Sequence, residues 1–158
     1  MSSLPSAVGL RRMVPADLER VIAIADSLKD APRWRPEAYL AALDTTTSPP
    51  RIALVAELPR TGRIVGFAVA CLVPPQAELE TIAVAAETQR SGVARRIFAA
   101  LIEELENAQA SEILLELRVG NRPALALYRS LGFESTGGRP RYYADPVEDA
   151  VLMRLPLR

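Results

Sequence analysis

Apolar residues recur with helical spacing in some segments and alternate with polar residues in others, and this pattern predicts the order of the elements. Residues 8–12 predict a short first strand. The segment opened by Pro15 predicts a helix with one buried face. A break at 32–36 and a second helix over Glu37–Leu43 follow, and then a polar loop over 44–50 that ends in two prolines. The predicted buried face of the first helix consists of Leu18, Val21, Ile22 and Ala25.

The middle of the chain predicts an antiparallel meander. Ile52–Leu58 and Arg63–Val73 are rich in β-branched residues, and the turn-forming segment 59–62 lies between them, which favours a hairpin. Two prolines at 74–75 separate this hairpin from a third strand, Glu78–Val84. Strands therefore follow the helices in an order that is typical of a mixed α/β domain.

The second half alternates between helices and strands. Gly92–Ala108 shows the clearest helical spacing, and Ser111–Val119 alternates as a strand. Asn121 is a good helix N-cap, and Gly132 predicts the end of a helix that runs through Leu131. Closing strands are expected from Phe133 onward and over Ala150–Leu155. The predicted buried stripe of the long helix is Ala94, Ile97, Phe98, Leu101, Leu105 and Ala108.

These elements predict a single domain over residues 1–158 with a mixed α/β sheet. A helical crossover normally makes its two flanking strands parallel neighbours. The strands on either side of the 92–108 helix should therefore form one parallel pair in a mostly antiparallel sheet, flanked by about four helices. In the strand after this helix, Ile113, Leu115, Leu117 and Val119 should face one side. Leu114, Glu116 and Arg118 should face the other.

Composition excludes several classes of function. The formal net charge is zero, which does not suit a nucleic-acid binder. No apolar run approaches the roughly 20 residues of a membrane helix, and residues 1–6 do not resemble a signal peptide, so we expect a cytoplasmic protein. The single cysteine, Cys71, is expected to be a buried thiol. The chain has no histidine, so it cannot use a Ser-His-Asp or Cys-His mechanism, and we expect no metal site.

The start of the 92–108 helix has the features of an anion site. Gly92 allows a ligand to approach the backbone, and the first amides of a helix have no intrahelical partner. Arg90, Arg95 and Arg96 lie at this positive end, whereas three glutamates lie toward the negative end. This reverses the order that the helix dipole favours, at a cost of a few tenths of a kcal/mol per charge. A bound polyphosphate would offset that cost; the alternative is that these charges are ordinary solvated surface residues.

The segment Gln89-Arg90-Ser91-Gly92-Val93-Ala94 matches the Q/R-x-x-G-x-G/A signature of the GNAT acetyltransferase superfamily. From Glu78 to Leu155 the chain resembles bacterial ribosomal-protein-alanine N-acetyltransferases and the catalytic subunits of eukaryotic N-terminal acetyltransferases. Two positions depart from the pattern: Ala94 replaces a frequent glycine, and Gly120 could loosen a contact of Asn121. The resemblance rests on Ile82-Ala83-Val84, Glu116-Leu117-Arg118, Asn121, Ala126-Leu127-Tyr128, Leu131-Gly132-Phe133, Tyr142-Tyr143 and Glu148-Asp149-Ala150.

This resemblance implies a GNAT fold, acetyl-CoA as the cofactor and acetyl transfer to a primary amine. Backbone groups near Ile82 and Val84 would hold the pantetheine arm. Glu116 would be the general base and Tyr128 the general acid; without the resemblance, they read as an ion-pair partner of Arg118 and a core aromatic. The cofactor-binding residues it implies are Ile82, Ala83, Val84, Gln89, Arg90, Ser91, Gly92, Val93, Ala94, Arg95, Asn121 and Tyr128.

The acceptor amine is less determined. Tyr142 and Tyr143 resemble a tyrosine pair that lines a peptide slot, Trp34 could flank it, and Glu80 is an alternative base or substrate contact. The leading hypothesis is the N-terminal α-amine of a protein such as a ribosomal protein. A small amine (a polyamine, amino sugar or antibiotic) and a non-catalytic acyl-CoA-binding module remain alternatives, and the oligomeric state is open.

Overall fold

The computed structural model describes residues 8–29 and 31–158, so residues 1–6, considered above for a signal peptide, lie outside it. Within these ranges no helix has the length and apolarity that crossing a membrane requires. The elements are β1 Gly9–Arg12, α1 Leu18–Ser27, α2 Pro36–Leu43, β2 Arg51–Glu57, β3 Ile64–Val73, β4 Gln76–Val84, α3 Val93–Asn107, β5 Glu112–Arg118, α4 Arg122–Ser130, β6 Glu134–Tyr143 and β7 Glu148–Pro156.

The strands form one seven-stranded sheet in the order β1-β2-β3-β4-β5-β7-β6. Every neighbouring pair is antiparallel except β4 and β5, which are parallel and are joined through α3. The predicted mixed sheet with one parallel pair is therefore confirmed. The predicted bounds of the strands agree with the observed ones to within two residues.

The sheet separates two apolar clusters. One lies under α3 and α4 and includes Ile97, Phe98 and Tyr128; the other lies under α1 and α2 and includes Phe67 and Tyr39. We refer to the two sides as the α3/α4 face and the α1/α2 face. In β5, Ile113, Leu115 and Leu117 point to the α3/α4 face, as predicted.

Three predicted core positions are only partly buried, and a fourth was wrong. Ile22 in α1 and the predicted stripe residues Ala94 and Ala108 are half-buried, whereas Ile24 is the fully buried isoleucine of α1. Val119, at the end of the predicted β5 stripe, lies beyond the strand and is 48% exposed. The buried thiol of Cys71 is confirmed.

The parallel pairing of β4 with β5 is short. Only Gln76–Glu78 pair with Glu112–Leu114, although both strands continue for several residues beyond that point. The Ala85 amide donates to the Val65 carbonyl at 2.8 Å. Because backbone groups alternate in direction along a strand, the main-chain groups of Ile82 and Val84 point away from β3 and into this opening. We call it the β4–β5 gap.

A β-bulge in β4 changes which residues face each side. Ala70 pairs with Leu79 and Val69 pairs with Thr81, so Glu80 is the extra residue on β4. Leu79 therefore points to the α3/α4 face before the bulge, and Val84 points to that face after it. The strict alternation expected along this strand is broken at Glu80.

Gly66 in β3 lets α3 approach the sheet closely. A Cβ atom at this position would lie 2.9 Å from Ile97 Cδ1 and 3.1 Å from the Ala83 carbonyl oxygen. The side chain of Val93, the first residue of α3, would also be in contact at 3.4 Å. A residue without a side chain at 66 therefore positions the start of α3 against β4.

We predict that Gly66→Ala lowers the free energy of unfolding by about 1–3 kcal/mol, because the added methyl group overpacks the contact between α3 and the sheet. Denaturant unfolding measures the change. Gly9→Ala is the matched control: a Cβ there meets Glu57 atoms no closer than 3.7 Å. Equal stability of the two variants would contradict the proposed close approach.

Candidate functional site

The loop that leads into α3 leaves a set of backbone amides without partners. Gly92 adopts φ 86° and precedes the helix, and the space where its Cβ would lie is open to 4 Å. Within the described part of the chain, the amides from Arg90 to Arg95 donate no backbone hydrogen bond, and no side chain caps the helix. These amides lie at the positive end of the helix dipole, where the sequence predicts an anion site, and such an arrangement suits an anion.

Three side chains shape this loop from within. Gln89 Nε2 donates to the Val84 carbonyl at 3.0 Å, Thr88 Oγ1 donates to the Ala85 carbonyl at 3.0 Å, and Ser91 Oγ donates to the Thr88 carbonyl. Gln89 and Ser91 were predicted as cofactor-binding residues. Their side chains hold the loop in its curved path. The Gln89 amide donates to the Ala86 carbonyl at 3.3 Å, which leaves the Ser91 amide for a ligand contact.

The reversed charge order of α3 is present in the structure. Its first turn contains no acidic residue, and Arg90, Arg95 and Arg96 are exposed beside the free amides. Arg95 also donates to Ser130 Oγ at 2.8 Å, which links the start of α3 to the end of α4. At the other end of α3, Glu104 pairs with Arg12. Excess positive charge thus remains at the end of the helix that already attracts anions.

A cleft of ≈ 210 Å³ carries the polar side chains of β4, β5 and β6. Glu116 lies in it, on the α1/α2 face, as the sequence predicted. A larger groove of ≈ 380 Å³ runs along α4 and contains none of the predicted site residues. The cleft is lined by Glu78, Leu114, Leu115, Glu116, Thr136, Arg139, Leu152 and Met153.

Glu116 pairs with a different arginine from the one expected. Its Oε1 lies 3.4 Å from Nε of Arg139 on β6, whereas Arg118 pairs with Glu148. The Tyr142 hydroxyl also interacts with Glu116, and this hydrogen bond is the main reason that the pKa of Tyr142 is raised. The alternative of a Glu116–Arg118 ion pair is therefore wrong, because the β6–β7 hairpin supplies other partners to both residues.

Arg118 anchors the β6–β7 turn. It donates to Glu148 Oε1 at 3.2 Å and to the Pro146 carbonyl at 2.9 Å, and its guanidinium lies 4.5 Å from the centre of the Tyr143 ring. Glu148 Oε2 also accepts from the Gly120 amide at 2.7 Å. A Cβ at Gly120 would lie 2.3 Å from this oxygen, so the glycine at 120 serves the turn.

The two tyrosines lie on the same side of β6 because this strand is irregular. The register jumps between Arg139 and Tyr143, and Arg141 has φ 53°. The rings of Tyr142 and Tyr143 consequently lie 5.1 Å apart, on the side of Glu116 and Arg118, rather than on opposite faces of the strand. Tyr142 is 52% exposed. A regular strand would have separated two consecutive side chains.

Tyr128 lies on the other face of the sheet. It is 8% exposed and packs edge-on against Phe98 and Phe133 at centroid distances of 6.2 Å and 5.6 Å. Burial raises its pKa to about 12, so the hydroxyl stays protonated at neutral pH. The predicted acid and the predicted base are therefore on opposite faces of the sheet.

The remaining predicted residues are in three separate places. Asn121 caps α4 by accepting from the Ala124 amide at 3.3 Å. Glu80 is bound by Arg51 through two hydrogen bonds of 2.7 Å and 3.2 Å. Trp34 packs on Tyr39 with ring centres 5.1 Å apart and is not among the residues that line the cleft.

The sequence interpretation missed Glu78. Its carboxylate lines the cleft, and its pKa is raised by partial desolvation first and then by the charges of Glu80 and Glu116. The signal for it was present, since Glu78 is an acid at the start of the strand that carries the family resemblance. Only the bulge at Glu80 reveals that Glu78 and Glu80 occupy different surroundings on the same face.

Comparison with known proteins agrees with this geometry. The ribosomal protein bS18-alanine N-acetyltransferase of Escherichia coli K12 is 40% identical over 103 residues, which is 64% of this chain and 70% of that protein. The crystal structure of the ribosomal-protein-S18-alanine N-acetyltransferase from Escherichia coli superposes with a TM-score of 0.81 at 29% identity, covering 96% of this chain and 94% of the other.

A eukaryotic structure is similar to the same extent. Naa20 of Chaetomium thermophilum, solved with a bisubstrate analogue, has a TM-score of 0.83 at 26% identity and covers 95% of this chain and 87% of its own. The sequence pattern of the acetyltransferase (GNAT) family matches residues 20–133, from α1 to the end of α4 and Phe133. The chain belongs to the acetyltransferase (GNAT) family and is an N-acetyltransferase.

Proposed function

We propose that this enzyme transfers the acetyl group of acetyl-CoA to the N-terminal α-amine of a protein, such as a ribosomal protein. The observation that carries the proposal is the cleft beside the β4–β5 gap, where Glu116 interacts with the exposed Tyr142 and the half-buried Tyr143 packs against Tyr142. The similarity to enzymes named for ribosomal-protein alanine acetylation supports this acceptor.

The residues present fit coenzyme A. The partner-free amides from Arg90 to Arg95 suit a pyrophosphate, and the open space at Gly92 leaves room for it. Main-chain groups of Ile82 and Val84 point into the gap, where they suit the extended, amide-containing pantetheine arm. The Val84 carbonyl already accepts a hydrogen bond from the Gln89 side chain. When bound, the cofactor supplies a thioester that donates the acetyl group. Asn121, the N-cap of α4, and Arg95, which donates to Ser130, are the further cofactor contacts that the family resemblance implies.

The proposed base and the proposed acid lie on opposite faces of the sheet. Glu116 faces the cleft and takes a proton from the amine, through water, before the amine attacks. Tyr128, on the opposite face, donates a proton to the departing sulfur. Its raised pKa of about 12 keeps that proton available across the neutral range. Arg139 and Tyr142 hold the Glu116 side chain in place.

The acceptor follows from the basicity of the amine and the shape of the cleft. An α-amine has a pKa of about 8, against about 10.4 for lysine, so a carboxylate base suffices more readily for a chain end. Tyr142 and Tyr143 lie on the edge strand β6, where an extended peptide can lie against their rings. The Arg118 guanidinium packs over the Tyr143 ring.

Acetyl-CoA consumption with a panel of peptides that vary in their first four residues tests the proposal. We expect turnover with a subset of free N-termini, and mass spectrometry should place the added acetyl group on the α-amine. The same peptides with a blocked N-terminus and a free lysine are the control, and they should remain unmodified. Robust turnover of free small amines with none of the peptides would refute the proposed acceptor, and cofactor binding without turnover of any amine would favour a binding module.

A second prediction concerns Tyr142. Tyr142→Ala should raise the KM for peptide by about tenfold, because it removes an exposed aromatic contact and the hydrogen bond to Glu116. The Kd for acetyl-CoA should change less than twofold. Val147→Ala is the matched control, since Val147 is 60% exposed in the turn of the same hairpin. An unchanged peptide KM in Tyr142→Ala would contradict a peptide slot at this edge.

A further inference from the structure

The loop between β5 and α4, residues 119–121, is held by a side chain from another strand. The amides of Val119 and Asn121 donate to backbone carbonyls. Among residues 8–29 and 31–158, the Gly120 amide has no backbone acceptor, and it donates instead to Oε2 of Glu148 at 2.7 Å. Glu148 is the first residue of β7, so this hydrogen bond joins the β5–α4 loop to the β6–β7 hairpin.

The Glu148 carboxylate lies where a side chain at position 120 would be. A Cβ added to Gly120 would overlap Oε2 of Glu148 and lie 3.4 Å from its carboxyl carbon. Gly120 is one of the two positions at which the sequence departs from the family pattern. In the structure, the missing side chain leaves room for Glu148 to bind the loop amide from across the sheet.

The second oxygen of Glu148 connects the loop to the tyrosine edge of the cleft. Its Oε1 accepts from Arg118 at 3.2 Å. The Arg118 guanidinium also donates to the Pro146 carbonyl at 2.9 Å and lies 4.5 Å from the centre of the Tyr143 ring. One carboxylate therefore contacts the loop before α4 directly, and the Tyr143 ring through one arginine.

The loop that Glu148 holds leads into Asn121, a proposed contact of the cofactor. Asn121 Oδ1 accepts from the Ala124 amide at 3.3 Å and so caps α4. In the part of the chain that the structure describes, the Asn121 side-chain amide donates to no protein group, which leaves it available to a ligand. A hydrogen bond from an amide to a carboxylate is stronger than one between neutral groups. The bond from Gly120 to Glu148 is of this stronger kind, and it fixes the residue directly before Asn121.

We propose that Glu148 is a positioning residue that holds Asn121 for coenzyme A and ties it to Tyr143 on the acceptor side. This role rests on the proposed function. Glu148 contacts neither the cofactor nor the amine, and acts only through the Gly120 amide and the Arg118 guanidinium. Because the loop and the ring share one carboxylate, a ligand that settles the loop also settles the ring.

The affinity of Glu148→Ala for CoA tests the first half of this role. Its Kd, measured by calorimetry, should rise about tenfold, because a hydrogen bond to a charged group is lost. Glu134→Ala is the matched control and should stay within twofold of wild type, since Glu134 is exposed on β6 and in none of the described ion pairs. A folded Glu148→Ala protein that binds CoA as tightly as wild type would overturn the proposal. If Glu148→Ala does not fold, Glu148→Gln takes its place, since one amide oxygen cannot serve both partners.

Gly120→Ala distinguishes positioning from a general loss of stability. The added methyl group should displace the Glu148 carboxylate and raise the Kd for CoA by a similar factor. In the Glu148→Ala background the methyl group has no carboxylate to displace, so the double variant should bind CoA within twofold of Glu148→Ala alone. Losses that multiply in the double variant would show that the two positions act independently, which contradicts the proposal.

The ring signals of Tyr143, observed by NMR with ¹³C-labelled tyrosine, test the tie to the acceptor side. Saturating CoA should shift these signals in the wild-type protein and leave them unmoved in Glu148→Ala. Equal shifts in both proteins would overturn the tie.

All three measurements use CoA without an acceptor, so they are independent of the acceptor assignment. Acetylation of small amines alone would refute the protein N-terminus and leave the role of Glu148 intact. A wild-type protein that binds no CoA would overturn both.

Discussion

The pairing of β4 with β5 ends after three residues, and the rest of the site depends on that early end. A fully paired β4 would bond its main-chain groups to β5, as it does to β3 on its other edge. Because the pairing stops at Glu78 and Leu114, the main-chain groups of Ile82 and the amide of Val84 remain free and face the gap. Where β4 and β5 separate, the start of α3 lies beside this gap. Gly66 allows the helix to pack closely against the sheet.

The gap also explains why the candidate catalytic groups are on opposite faces. Tyr128 belongs to the aromatic cluster under α3 and α4, where burial keeps its hydroxyl protonated. Glu116 and Glu78 belong to the opposite face, where the edge strand β6 supplies Arg139 as a partner for one of them. A proton donor and a proton acceptor can thus act on the two sides of one bond without neutralising each other.

The features that short segments of the sequence encode could be predicted, whereas those that depend on pairing between distant strands could not. The partner-free amides at the start of α3 and the exposed arginines beside them could be predicted, because Gly92, the helix start and these arginines are all encoded within ten residues. The crossover rule likewise predicted the parallel pair. The carboxylate environments could not, since the bulge at Glu80 and the irregular turn before Tyr143 depend on pairing with β3 and β7. For the same reason the sequence suggested Arg118 as a partner of Glu116, and the hairpin supplies Arg139 instead.

The most direct test of the central claim is an NMR titration of the ¹⁵N-labelled protein with acetyl-CoA. The account predicts saturable shifts of two groups of backbone amides, namely Ile82 and Val84 in the gap and Val93 and Ala94 at the start of α3. Both groups should report one Kd, because a single cofactor spans both places. Shifts confined to the groove along α4, with the amides of Ile82 and Val84 unmoved, would contradict it.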